Sequence, residues 1–177
     1  TQRRMYITGG VGSEHYGERF TFDYDLPNDR AYTETCASIA LVFFAHRMLQ
    51  RDMDAKYANV MERALFNGVL SGISLDGKSF FYVNPLEVWP EACKARHDLR
   101  HVKPVRQGWF TCACCPPNAA RLLASIGQYM YSSSGDTAYV HLYAASEANF
   151  DIAGTMVKLT QKTDYPWQET VTIKVNP

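Results

Sequence analysis

The chain has 177 residues, 46% of them hydrophobic and 20% charged, with eighteen Lys and Arg balanced by eighteen Asp and Glu. That composition suits a globular protein with room for one real core, or for parts of two domains. The balance of charge, with no basic helix and no RNA-binding aromatic motif, argues against a nucleic-acid partner, and no apolar run is long enough to span a membrane.

Residues 1 to about 30 are rich in turns, with Gly9-Gly10-Val11-Gly12 and Leu26-Pro27-Asn28-Asp29 as markers. Tyr16, Phe20, Phe22 and Tyr24 are expected to anchor this stretch as an ordered functional loop. The glycine run lacks the Gly-Lys-Ser/Thr ending of a phosphate loop. A helix is expected over 35–51, apolar nearly all round and so buried on most sides. Asp52 and Asp54 offer caps for a second helix over 55–71, antiparallel to the first. Asp76-Gly77 marks a turn, and 79–83 reads as a strand.

Residues 84–108 are irregular and basic. A third helix is expected over 117–131, opened by Pro116-Pro117, since proline lacks only an N–H that would be unpaired in a first turn. After Ser132-Ser133-Ser134-Gly135 the period changes to two. Residues 137–144, 156–163 and 170–175 then read as antiparallel strands. The expected fold class is therefore mainly α with a β extension, divided as 1–134 and 135–177. Thr1 is an odd natural start, and the last strand runs almost to Pro177, so a piece of a longer protein is expected.

There are five cysteines, an odd number, and three of them lie within residues 112–115. Secreted disulfide frameworks favour even, spread cysteines, so clustered thiols point to metal or to chemistry in a reducing, cytoplasmic compartment. Two clusters stand out: Glu34-Thr35-Cys36, and Cys112-Ala113-Cys114-Cys115 followed by Pro116-Pro117. Carboxylate oxygen and thiolate sulfur are both good zinc ligands, and soft sulfur selects zinc over magnesium or calcium. Four donors become available if Glu34, Cys36, Cys114 and Cys115 converge. Both clusters fall at helix starts, whose partial positive charge favours thiolate. Buried unliganded cysteines are the plainer alternative.

The runs Gly17-Glu18-Arg19-Phe20, Thr33-Glu34-Thr35-Cys36-Ala37-Ser38 and Trp109-Phe110-Thr111-Cys112-Ala113-Cys114-Cys115-Pro116-Pro117-Asn118 resemble those of the β-L-arabinofuranosidases, glycoside hydrolase family 127. The resemblance spans essentially the whole chain. It implies the C-terminal part of an (α/α)6 barrel over 1–134 and the first strands of a β-sandwich over 135–177. It also implies Zn2+ held by Glu34, Cys36, Cys114 and Cys115, with Cys114 as nucleophile and Glu18 as acid/base. By itself Glu18, next to Arg19, reads as a surface carboxylate; only the resemblance gives it this role. The implied reaction is removal of β-L-arabinofuranosyl residues with retention, through a cysteine-linked glycosyl intermediate. The implied partner is an arabinofuranoside or a related glycoside, and a homodimer of the full-length enzyme is compatible with it.

Tyr82, on the strand at 79–83, is carried as a substrate-binding residue, with packing in an aromatic core as its alternative. His97 and His101 could touch substrate hydroxyls, with a solvated loop as the favoured reading, while the sequence suggests no partner for His15 or His46. The rival to catalysis is a closed structural zinc site in a carbohydrate-active protein, in which Glu18 would play no part.

Overall fold

The computed structural model describes residues 2–177, which divide into two compact units, one ending at Ala124 and the other spanning Ser125–Pro177. Helix and strand are mixed in the chain. The longer helices belong to the first unit and the β-ladders to the second.

In the first unit, α1 (Thr35–Leu49) packs against α2 (Ala55–Arg63) and, further along the chain, α4 (Cys115–Ala124); the short α3 (Pro90–Ala95) lies between them in sequence. Ile39, Val42, Met61 and Leu122 are removed from solvent at these contacts. Each such burial contributes about 1.5–3 kcal/mol. The side chain of Asp54 accepts from the Lys56 backbone N–H at 2.8 Å and caps α2, as its position suggests. Helix α1 is not covered all round: Phe44 is 56% exposed.

The single helix expected over 55–71 is interrupted. After α2 come a π-helical turn, Ala64–Val69, and a 3-10 turn, Leu70–Gly72. A π turn changes the helix phase locally. Here Gly68 lies so tightly against Ser38 of α1 that a Cβ would collide with the serine side chain. The helix expected over 117–131 is also divided: α4 starts at Cys115 and stops at Ala124, and a separate turn, α5 (Gly127–Met130), follows in the second unit. Ser125 and Gly127 are both weak helix formers.

The N-terminal loop is ordered, but not by the aromatic residues expected to anchor it. Tyr16, Phe22 and Tyr24 are each more than 70% exposed. Buried Tyr6, Val11, Ala31 and Tyr32 hold the loop instead. The Tyr6 hydroxyl donates to the Pro27 carbonyl, and Arg3 and Arg4 both pair with Asp23. Alternating aromatic residues mark a buried strand face only where a ladder exists. Here the backbone is a chain of turns.

In the second unit, β1 (Tyr131–Ser134) and β2 (Thr137–Val140) form a two-residue hairpin through Gly135 and Asp136. Strands β3 (Ser146–Ile152), β4 (Thr155–Thr163) and β5 (Val171–Asn176) form an antiparallel meander in that order. Ala153 and Gly154 both adopt positive φ, as the turn between β3 and β4 requires. The strand expected over 137–144 ends at Val140, and β3 was not anticipated. Gln161 is buried on β4 and donates to the Leu142 carbonyl at 3.2 Å.

Candidate functional site

Residues 33–35 and 80–84 are laced together side by side. The Thr35 N–H donates to the Tyr82 carbonyl at 3.0 Å, and the Thr35 hydroxyl donates to the Phe81 carbonyl at 2.8 Å. The Asn84 amide donates to Thr33 O and Thr35 Oγ1, while the Thr33 hydroxyl donates to the Asn84 carbonyl at 2.6 Å. This lacing explains why 79–83 makes isolated bridges, Glu34 to Val83 and Phe80 to Gln107, rather than the expected strand. Its backbone groups are partly taken by threonine and asparagine side chains. The result fixes Glu34, at the start of α1, opposite Tyr82.

Helix α4 brings the second cluster to the same place. Cys36 lies in the first turn of α1, and Cys115 is the first residue of α4. Cys36 Sγ is 3.6 Å from Cys115 Sγ, and Cys114 Sγ is 3.7 Å from Cys115 Sγ. Cys114 Sγ is also 3.4 Å from Glu34 Oε1 and 3.2 Å from the Tyr82 hydroxyl. The ligand atoms of Glu34, Cys36, Cys114 and Cys115 all lie within 4.8 Å of one another. A tetrahedral zinc site, with Zn–S about 2.3 Å and Zn–O about 2.0 Å, has edges of about 3.5–3.8 Å. The three short separations, 3.4, 3.6 and 3.7 Å, are close to those edges, and the other donor pairs lie within 4.8 Å, so the donor set suits that ion with a small contraction of the site.

The electrostatics agree. Cys36 is lowered to about 7, chiefly by its hydrogen bond with Cys115. Burial pushes Cys114 up to about 12, and Cys115 rises well above the ordinary thiol range, chiefly through Cys36. Protein groups alone therefore favour one thiolate here. A bound cation removes the mutual repulsion and allows all three. Glu34 and Cys115 are buried, whereas Cys36 and Cys114 are half-buried, which leaves Cys114 reachable beside Tyr82. Burial, and next the contact with Cys114, hold Tyr82 protonated well above the usual tyrosine range.

Glu18 stands on a tight hairpin in which Glu14 and Arg19 exchange both backbone hydrogen bonds at 3.2 Å. Gly17 and Glu18 both have positive φ, 74° and 49°. That conformation is unfavourable for a glutamate and recurs at functional sites. The Tyr32 hydroxyl donates to Glu18 Oε1 at 2.8 Å. His15, from the same hairpin, stacks on His101 with ring centroids 4.1 Å apart. His15 therefore has a partner, contrary to its reading as an isolated residue, and His101 is not a solvated loop residue. His97 lies in a separate short turn, His97–Leu99. Tyr32, His15 and His101 were not assigned to the site from sequence. The one signal in the sequence was that His101 could touch substrate hydroxyls, set below its reading as a solvated-loop residue.

Burial first, and then the charge of His15, lower the His101 pKa from 6.5 to about 4. The unfolded chain takes up this proton near pH 6.5, whereas the folded chain refuses it until about pH 4. Stability should therefore fall as pH drops through that window. The His101→Phe variant is expected to lose less thermal stability between pH 7 and pH 4.5 than the wild type. Equal losses in thermal melts at the two pH values would reject this origin.

Comparison with known proteins places the chain in a family. Residues 1–128 match the model of the β-L-arabinofuranosidase, glycoside hydrolase family 127 catalytic domain, and residues 137–177 match that of the middle domain of the same family. The non-reducing end β-L-arabinofuranosidase of Bifidobacterium longum subsp. longum is 49% identical over 93% of this chain. The chain spans 25% of that relative's length. The crystal structure of a family 127 β-L-arabinofuranosidase from Geobacillus stearothermophilus T6 superposes on the whole chain with a TM-score of 0.95 at 66% identity, covering 28% of that protein. A second family 127 β-arabinofuranosidase structure covers 98% of the chain with a TM-score of 0.86 at 42% identity, the match spanning 25% of it. With a catalytic-domain match across residues 1–128 and a middle-domain match after it, this chain belongs to the β-L-arabinofuranosidase family, glycoside hydrolase family 127.

Proposed function

We propose that the chain carries the chemical centre of a zinc-dependent retaining glycoside hydrolase that removes β-L-arabinofuranosyl residues. The observation that carries this reading is the convergence of Glu34, Cys36, Cys114 and Cys115 within 4.8 Å, with Cys114 reachable beside Tyr82. These four side chains would hold the metal, which when bound keeps the Cys114 sulfur anionic.

Cys114 Sγ attacks the anomeric carbon. The bond from that carbon to the leaving oxygen breaks, and Glu18 gives that oxygen a proton. The sugar is then held by a C–S bond. Glu18, now a carboxylate, takes a proton from water as the water oxygen attacks the same carbon and the C–S bond breaks. Two inversions restore the starting configuration. Tyr82, kept protonated beside the sulfur, serves as the substrate-binding residue and donates to a sugar hydroxyl. We also propose that α1 to α4 belong to an (α/α)6 barrel and that the β-unit opens a sandwich. The clustered free thiols favour a reducing, cytoplasmic setting. Among the described residues no helix is long and apolar enough to cross a membrane.

The acid role makes a specific demand. Because kcat/KM reports the steps up to cleavage of the glycosidic bond, Glu18→Gln is expected to lower it by about 100-fold on an arabinofuranoside with an alkyl leaving group. On an activated aryl arabinofuranoside, which leaves without a proton, the loss should be only a few-fold. Equal losses on both substrates would remove Glu18 from the acid role.

A further inference from the structure

We infer that Tyr32 is the positioning residue for Glu18, an inference that rests on the acid/base reading of Glu18. Glu18 is exposed and stands on a hairpin of strained backbone, so nothing in its own turn fixes the direction of its carboxylate. The single side-chain hydrogen bond described to that carboxylate comes from Tyr32, at 2.8 Å. Tyr32 itself is rigid. It is 5% exposed and packs in a cluster with Val83, Leu99 and Val102. Its backbone N–H donates to the Gly12 carbonyl at 3.1 Å, which ties it to the segment leading into the hairpin.

Three aromatic rings support the arrangement. His15 lies against Tyr32 with centroids 5.4 Å apart and stacks on His101, whose ring is 5.9 Å from Tyr32. The hairpin is thus held at two points: by the His15 ring and by the Glu18 carboxylate. The Tyr32 ring also neighbours Tyr82, with centroids 6.4 Å apart. The Tyr82 hydroxyl in turn lies 3.2 Å from Cys114 Sγ. One buried residue therefore meets both the side chain that carries the acid and the side chain that touches the nucleophile. It sets their separation through packing rather than through contact with the sugar. A carboxylate displaced by about 1 Å can cost about 100-fold in rate.

The test is made in a full-length arabinofuranosidase bearing this sequence, with Tyr32→Phe and Glu18→Gln each assayed on an alkyl and on an activated aryl arabinofuranoside. Tyr32→Phe keeps the packed ring and removes only the donor. It is expected to lower kcat/KM by about 10–100-fold on the alkyl substrate and by less than about threefold on the aryl one. Placed on Glu18→Gln, it should add almost nothing, because a residue that acts through another is non-additive with it. If Glu18→Gln discriminates between the substrates but Tyr32→Phe does not, the positioning role is wrong while the acid role stands. If Glu18→Gln fails to discriminate, the acid role falls and the positioning role falls with it. Should Tyr32→Phe fold poorly, His15→Ala loosens the same hairpin from an exposed position. It should show a smaller loss, again confined to the alkyl substrate, and equal losses on both substrates would overturn the inference.

Discussion

Replacing Cys114 by serine is expected to lower kcat on an activated aryl β-L-arabinofuranoside by at least about 1,000-fold. Serine keeps the size and nearly the shape of cysteine, so the fold and the approach to Tyr82 remain. What changes is the attacking atom. A hydroxyl is a far weaker acid than a thiol, and neither the start of α4 nor a neighbouring cation ionises it to the same degree. Oxygen is also the less polarisable nucleophile. The leaving group chosen needs no proton, so the loss isolates the attacking atom from the work of Glu18. Cys112 is the comparison. It is exposed and outside the group of four converging donors, and its thiol bonds to Tyr82 and Cys114. Serine keeps a hydroxyl for those contacts, so Cys112→Ser should lower kcat by no more than about tenfold. If the Cys114 variant keeps activity within about tenfold of the wild type, the sulfur does not attack the sugar.

Removal of the metal ligand Cys36 should act on a different quantity. Cys36 Sγ lies 3.6 Å from Cys115 Sγ and has no contact with Tyr82, so it serves the site as a donor and not as the attacking group. Metal analysis of the wild-type protein is expected to find about one zinc per chain, and Cys36→Ala should bring this well below one half. Binding energy at such sites is folding energy, about 10–16 kcal/mol for a complete set of four ligands. Loss of one ligand gives up part of it. At about 2–4 °C per kcal/mol for a domain of this size, a fall in Tm of about 10 °C or more is expected. A chelator should bring the wild type to the same Tm as the variant. A wild type with no zinc, or a Tm indifferent to both treatments, would remove the metal from the mechanism. Cys114→Ser with zinc retained and activity lost, set beside Cys36→Ala with both reduced, separates the nucleophile from its support.

Much of the site was legible before the fold was known. Glutamate two residues before a cysteine, and two adjacent cysteines before a proline pair, pointed to a candidate metal centre, with buried free cysteines as the alternative, and the four donors do converge. The expectation that both clusters fall at helix starts is met by α1 and α4. Asp54 as a cap follows in the same way, because a cap bond spans only two residues. The failures share a cause. The π turn at Ala64–Val69 depends on Gly68 meeting Ser38, thirty residues away in sequence. The aromatic loop residues were read by their apolar character, yet their exposure depends on where the turns carry them. The pairing of His15 with His101 links residues 86 positions apart and leaves no local trace.

The sequence by itself determined the candidate donors and the local frames that hold them, because ligand type, helix starts and short hydrogen-bonded turns depend on neighbouring residues alone, whereas the role of Glu18 came only from the family resemblance. The tertiary structure decided which of those atoms meet. It brought Cys36 to Cys115 and Cys114 to Glu34 and Tyr82, and it set the Tyr32 hydroxyl as the donor that faces Glu18. Long-range packing of buried rings and helices sets these distances, and no pattern within a single stretch of chain encodes them.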